Sequence, residues 1–186
     1  MSAAGGGRRL VVTQNVTVDG AVEMLDDWFD PADQDPEVLA EMRRQDATSD
    51  AILLGRQTFE DFRGYWRHRD DDPTGIGAQL DGLAKHVVST TLTDPAWENT
   101  TVIQDGLDGV RRLLATPGQD VVVTGSISLC HAVDAAGLVD EYRLFVYPVV
   151  QGRGRRLFPE GSAPRRLRAL ETRQFADGVA LVRYAS

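Results

Sequence analysis

Short, unbroken apolar runs recur along the chain, and most are followed by a stretch with helical spacing. Residues 51–55 (AILLG) and 121–123 (VVV) show no polar alternation, so they read as strands buried on both faces, as in a parallel sheet covered by helices. Further strands are expected at 9–18, 86–90, 100–104 and 141–150, with Pro148 marking a bulge or an unpaired edge near the end of the last. Helical spacing fills 36–47, with Pro36 in its first turn and Val38, Leu39 and Met42 on one face, and then 56–66, 107–115 and 127–137. Two final strands, near 165–175 and 179–185, are joined by Asp177-Gly178, a hairpin signal. Strands alternating with helices, followed by a hairpin, predict a three-layer α/β fold: a mostly parallel central sheet with an antiparallel C-terminal edge. Residues 67–77 are polar and expected at the surface. Nothing divides the chain, so 1–186 reads as one domain, with residues 1–7 expected to be disordered.

Composition narrows the function classes. A chain of 186 residues with 42% hydrophobic content can bury a sizeable core. The formal net charge of −8, from 20 Lys plus Arg against 28 Asp plus Glu, argues against a general affinity for nucleic acid or an anionic membrane. The single Cys130 excludes an internal disulfide and the multi-cysteine zinc patterns, and it fits a reducing compartment. No apolar run approaches the ~20 residues of a membrane span, and the first apolar run is too short for a signal peptide. The expectation is a cytoplasmic protein acting on a small molecule, with neither nucleic acid nor membrane as partner.

Three predicted strand ends share a chemistry. Residues 51–55 end in Gly55, followed by Arg56, Gln57 and Thr58; 86–90 end in Ser89, Thr90 and Thr91; 121–123 run into Thr124, Gly125 and Ser126. In an open α/β sheet, ligands bind beyond the carboxyl ends of the parallel strands. Glycine admits a close backbone approach, a helix start presents free amides, and Arg56 adds a permanent charge suited to phosphate. Each piece alone is more often a tight turn or an ordinary N-cap. Together on one sheet edge they point to a cofactor bearing more than one phosphate, although no G-x-G-x-x-G or P-loop occurs.

The order VVTQNVTVDG, AILLGRQTFEDF, KHVVSTTL, VVVTGSISL and GLVDEYRLFVYPVVQGRGRRLF resembles the dihydrofolate reductase superfamily. It is most similar to the reductase domain at the C-terminus of bifunctional riboflavin-biosynthesis deaminase-reductases. The resemblance covers residues 8–185 and is carried best by G-R-x-T-F at 55–59 and by the glycine-rich pattern at 138–158. It implies an NADPH-dependent reductase of a C=O or C=N bond, often homodimeric, with an eight-stranded sheet. By position, Gly55, Arg56 and Thr58 match the residues at the cofactor's phosphates, and Ser89 and Thr90 match hydroxyls near the adenosine-side phosphate. Thr124, Gly125, Ser126 and Ile127 match the glycine turn at the pyrophosphate, and Asn15 and Val22 border the nicotinamide. Two adjacent glycines are usual in dihydrofolate reductases where this chain has Thr124-Gly125.

The substrate side departs further. The pterin carboxylate of dihydrofolate reductases, counted back from Gly55 without gaps, falls on Leu39, while the acidic loop before the first helix offers Asp30, Asp33 and Asp35. One of these three is the candidate proton source, and helix capping and solvation are the competing roles. That loop lacks the glycine and spacing of an EF-hand, so no metal is expected. His68, His86 and His131 show no ligand spacing, and Cys130 falls on an apolar helical face. The turn GRGRR (152–156) reads as a solvated turn or a dimer edge, with contact to a substrate phosphate as the sharper alternative. A homodimer is expected from the long apolar strand 141–150, with Phe145, Val146 and Tyr147 close together. A catalytically silent nucleotide-binding homodimer and a true dihydrofolate reductase remain as alternatives.

Overall fold

The computed structural model describes residues 7–30, 34–67, 69, 71–72 and 74–186. Strand β1 (Leu10–Thr17) leads through a loop to helix α1 (Pro36–Asp46), which Asp35 caps by accepting from Glu37 N at 2.7 Å. Then follow β2 (Ser49–Gly55), α2 (Arg56–Trp66), α3 (Ile76–Gly82), β3 (Ala84–Val88) and β4 (Thr100–Ile103). The chain continues through α4 (Leu107–Leu114), β5 (Asp120–Val123), α5 (Ile127–Ala135), β6 (Glu141–Tyr147), β7 (Arg168–Gln174) and β8 (Ala180–Ala185). The short α3 is not expected from the sequence. It holds a Gly-rich, weakly patterned segment in place by burying Leu80 against the α2 side of the sheet.

The strands form one sheet in the order β4-β3-β2-β5-β1-β6-β8-β7. The pairs from β4 to β6 are parallel, while β6-β8 and β8-β7 are antiparallel. This is the dihydrofolate-reductase-like topology, a mostly parallel sheet closed by a C-terminal hairpin. Strand β6 stops at Tyr147, directly before Pro148, which has no amide to continue the ladder.

Alternation along the strands divides the core. Ala51 and Leu53 face α4 and α5, with Val110, Leu113, Cys130 and Val133, whereas Ile52 and Leu54 face α2 and α3, with Phe59 and Leu80. A third cluster, Val38 of α1 with Phe145, Tyr147, Phe175 and Leu181, covers the hairpin side. Within 141–150, Phe145 is wholly buried and Tyr147 nearly so, whereas Val150 stays exposed. Between the α1 cluster and the α2–α3 cluster the same face is left open, over β1 and β5. That gap is the candidate site.

Candidate functional site

The predicted residues fall in one row because β3, β2, β5 and β1 are neighbours in the sheet. Ser89 and Thr90 follow β3, Gly55, Arg56 and Thr58 join β2 to α2, Thr124 to Ile127 join β5 to α5, and Asn15 lies on β1. The two central turns are locked together. Gly55 N donates to Ser126 Oγ at 3.0 Å, and Ser126 N donates to Thr58 Oγ1 at 3.0 Å. Gly125 (φ 56°) and Ser126 (φ 44°) are successive left-handed residues, a conformation that costs a non-glycine about 1–2 kcal/mol and persists here because both bonds hold it. A Cβ at Gly125 would stand 3.0 Å from Thr58 Cγ2, so a side chain there would force Thr58 to give way.

This interlock has a chemical consequence. The Ser126 hydroxyl is committed to Gly55, which leaves α5 without a side-chain cap, and α2 has none because its N-cap is Gly55 itself. Two adjacent helix starts therefore present amides and the positive ends of their dipoles along one edge. That arrangement suits a pair of linked phosphates. Beside it, Ser89 Oγ accepts from Leu92 N at 3.0 Å, shaping a turn that leaves Thr90 exposed. Arg56 is exposed at the same edge and donates to Glu60 at 2.9 Å.

Below this edge lies a cavity of about 570 Å³, within the range of small-molecule sites. Its floor is Thr13 and Asn15 of β1, Ile52 of β2, Val122 of β5 and Thr124 just after it. Leu39, Met42 and Asp46 of α1 form one wall, and Phe62, Tyr65 and Trp66 of α2 form the other. Val22, Met24 and Phe29 form a lip. Asp46 is a partly buried carboxyl in this wall; burial pushes its pKa up, against the opposing pull of a Gln79 hydrogen bond and of Arg143.

Residues 8–181 match the family described as the RibD C-terminal domain. The chain belongs to that family. Reductase domains of this RibD type are generally NADPH-dependent. YyaP of Bacillus subtilis strain 168, named an uncharacterized protein, is 30% identical over 181 residues, 95% of this chain and 94% of its own. Among solved structures, a protein from Shewanella sp. PV-4 named for riboflavin biosynthesis superposes with a TM-score of 0.70 at 19% identity, covering 95% of this chain and 98% of its own. A diaminohydroxyphosphoribosylaminopyrimidine deaminase/5-amino-6-(5-phosphoribosylamino)uracil reductase from Thermotoga maritima gives 0.68 at 15% identity, over 96% of this chain and 56% of that longer protein.

In this RibD-type domain, Asn15, Val22, Thr124 and Gly125 line the cavity, while Gly55, Arg56, Thr58, Ser89, Thr90, Ser126 and Ile127 flank it along the sheet edge or, for Ile127, support it from the core. Asp30 is exposed, Asp35 caps α1, and neither lines the cavity; Asp33 lies outside the described residues, as does His68. Among the described residues, the carboxyls that line it are Asp46 and Asp61, which the sequence does not single out. The spacing Leu39, Met42, Arg43, Asp46 was the available signal, since i, i+3, i+4 and i+7 share a helical face and the gapless count already fell on Leu39. Burial pushes the Cys130 thiol up to about 12, which removes it as a nucleophile, and its Sγ sits under the Gly125 carbonyl.

The GRGRR turn has a structural employment. Arg153 pairs with Asp26, Arg155 Nε donates to Glu23 at 2.6 Å, and Arg156 donates to the Asp19 carbonyl. Gln151 completes the seam: its Oε1 accepts from Leu25 N and Trp28 Nε1, each at 3.0 Å, and its Nε2 donates to the Glu23 carbonyl at 3.0 Å. These contacts fix the loop that carries Val22, Met24 and Phe29, and hence the lip of the cavity.

Proposed function

We propose that this domain is an NADPH-dependent reductase of the riboflavin-biosynthesis type, acting on a C=O or C=N bond of a heterocyclic or ribosylamino substrate. The observation that carries this reading is the pair of uncapped, interlocked helix starts at Gly55 and Ser126, directly above a cavity floored by Asn15 and Thr124. When bound, the cofactor supplies the hydride, so the protein's part is to bind, orient and provide a proton. The α2 and α5 amides hold the pyrophosphate, Ser89 and Thr90 take the adenosine side, and Arg56 exchanges Glu60 for the 2′-phosphate. Asn15, Val22 and Thr124 place the nicotinamide at the upper end of the cavity, and one loop carboxylate among Asp30, Asp33 and Asp35 serves the proton. The same reading carries a homodimer, for which the exposed Val18 and Val150, brought together by the Val18 N to Val149 O bond, offer surface.

The test is titration of NADPH and NADH against the purified protein, followed by NADPH oxidation with candidate heterocycles. Tighter binding of NADPH than NADH, with turnover, supports the reading; no binding of either removes it. Binding without turnover on any substrate favours a silent nucleotide-binding protein. Light scattering that gives a mass near 20.4 kDa, one chain, would remove the dimer.

A further inference from the structure

A single polar side chain interrupts the apolar row that β1 turns toward α4 and α5. Leu10, Val12, Gln14 and Val16 alternate onto one face of the strand, and the three aliphatic residues pack with Cys130 and Val133 of α5. Gln14 is only 3% exposed, and a carboxamide buried in such a row is costly unless its polar atoms are paired. β1 and β5 pair as far as Val12 with Val123, so two residues on Gln14 stands beside Gly125. There Gln14 Nε2 donates to the Gly125 carbonyl at 2.7 Å and lies 3.3 Å from Cys130 Sγ, while that thiol donates weakly to the same oxygen at 3.4 Å.

The peptide between Gly125 and Ser126 is thus gripped on both sides, its carbonyl by Gln14 and its N–H by Thr58 Oγ1 at 3.0 Å. The grip opposes a rotation that relieves strain. Ser126 sits at φ 44°, a left-handed conformation unfavourable to a residue with a side chain. Turning the plane of this peptide over changes ψ at Gly125, which tolerates it, and returns Ser126 to negative φ. The turn also exchanges the two ends of the peptide. The carbonyl oxygen comes up toward Thr58 and the α2 start, where the Ser126 N–H now points. An oxygen at that place opposes an anion, whereas the inward carbonyl keeps its negative end out of the anion's way. The Thr58 hydroxyl serves either orientation, since it both donates and accepts. Gln14, with its Nε2 also against Cys130 Sγ, is set for the inward carbonyl. One buried hydrogen bond and the strain of one left-handed residue are comparable in size, so that bond decides which end of the peptide the edge presents.

We infer that Gln14 is a positioning residue for the phosphate edge: it holds the Gly125 carbonyl inward and so keeps the 125–126 peptide turned to receive an anion between the α2 and α5 starts. The inference rests on the reductase reading only in naming that anion as the pyrophosphate of a dinucleotide. NADPH and NADH share the pyrophosphate, so Gln14 acts on both alike, whereas Arg56 acts on one.

Two measurements test it, one of them free of ligand. The first is a crystal structure of ligand-free Gln14→Met beside the wild type. Methionine keeps the length of glutamine without the donor, and the Gly125 carbonyl is expected to turn toward Thr58. The second is calorimetric titration of NADP⁺, NAD⁺ and inorganic pyrophosphate. Gln14→Met is expected to weaken all three about tenfold, the effect of one hydrogen bond. Gln14→Glu separates orientation from packing. Protonated glutamate donates to the Gly125 carbonyl as glutamine does; ionised, it repels that oxygen and accepts the Ser126 N–H. Around this position α5 presents Cys130 and, one turn on, Asp134, while β6 presents Leu144, so burial and the Asp134 charge both raise the new carboxyl. Between roughly pH 5 and 9, NAD⁺ affinity of Gln14→Glu is therefore expected to fall about tenfold as the carboxyl ionises, with no such change in the wild type. A carbonyl that stays inward in Gln14→Met, unchanged affinities for that variant, a flat NAD⁺ profile in Gln14→Glu, or no binding of any of the three ligands by the wild type would overturn the inference. The profile alone decides if Gln14→Met does not fold. Pyrophosphate binding that depends on Gln14, without binding of either dinucleotide, would remove the reductase reading and leave this one standing.

Discussion

The two ends of the central sheet are both crowded with polar groups, but those groups are used in opposite ways. At the amino ends, buried Glu141 accepts from Arg143 at 2.8 Å and pairs with Arg183 at 2.7 Å and Arg9 at 3.1 Å. Arg143 also reaches Asp120 at 3.2 Å, and Arg183 reaches Glu171 at 2.7 Å. Every one of these charges is matched by a fixed partner of opposite sign, so the cluster has little left to offer a ligand. At the carboxyl ends, hydroxyls and glycines bond one another and leave two helix starts uncapped. Polar density alone does not mark a site. Uncommitted donors do.

That contrast can be broken at either end. The largest effect is expected from Glu141→Ala, which strands Arg143 without its closest partner; breaking a buried pair costs about 3–5 kcal/mol. Urea denaturation should show that loss, while the remaining folded protein binds NADPH as before. The pH dependence follows from the same group. Burial raises the Glu141 carboxyl pKa, but bonds from Arg143 and Arg183 outweigh it and leave it lowered. Its contribution is therefore complete above the unfolded value and is lost as pH falls through the folded one. Stability measured from pH 7 downward should fall below roughly pH 4.5, and a flat profile in Glu141→Gln would identify this carboxylate as the cause.

At the other end, Arg56→Ala should weaken NADPH by roughly 10- to 100-fold and NADH little, since a charge-assisted bond contributes ~1.5–3 kcal/mol. Glu60→Gln should act in the opposite direction, because Glu60 holds Arg56 in the free protein. Equal losses for both cofactors would mean that Arg56 does not meet the 2′-phosphate. Gly125→Ala forces a methyl group toward Thr58 at a positive φ, about 1–2 kcal/mol of strain, so NADPH affinity should drop roughly tenfold with little loss of fold. The smallest structural disturbance is Asp30→Asn, Asp33→Asn and Asp35→Asn in turn. Asparagine also caps helices, so Asp35→Asn should keep α1 intact. Turnover cut at one position with NADPH binding preserved identifies the proton source; three neutral results would exclude these carboxylates and point to a bound water.

The fold was legible because its strands are short apolar runs and its helices keep their spacing; α2 at Arg56–Trp66 falls where the pattern sets it. The row of glycines and hydroxyls proposed to hold the phosphates was legible for the same reason, since these are local features of strand ends. Two things were not. The interlock of Gly55, Thr58 and Ser126 joins residues some 70 positions apart and depends on β2 lying beside β5, a choice no local pattern encodes. Asp46 was not legible because a carboxyl at a helix end reads as solvated until the cavity wall is known. Of the apolar stretch 141–150 that suggested a dimer face, Phe145 and Tyr147 are covered by Phe175, Val179 and Leu181 of the hairpin side, while Val150 stays exposed.

The seam between Gln151 and the loop at 19–29 separates two kinds of fastening that ionic strength tells apart. Asp19 is held down to about 2 by bonds from Thr17, Gln151 and Gly152, and the Gln151 amide is neutral, so this inner row ignores both acid and salt over the working range. The outer row, Arg153 with Asp26 and Arg155 with Glu23, consists of exposed ion pairs, each contributing under about 1 kcal/mol and screened over ~8 Å at physiological salt. Rising salt should therefore loosen the lip without releasing the loop. The expected signature is kinetic: ligand dissociation quickens with ionic strength, while the melting temperature scarcely moves.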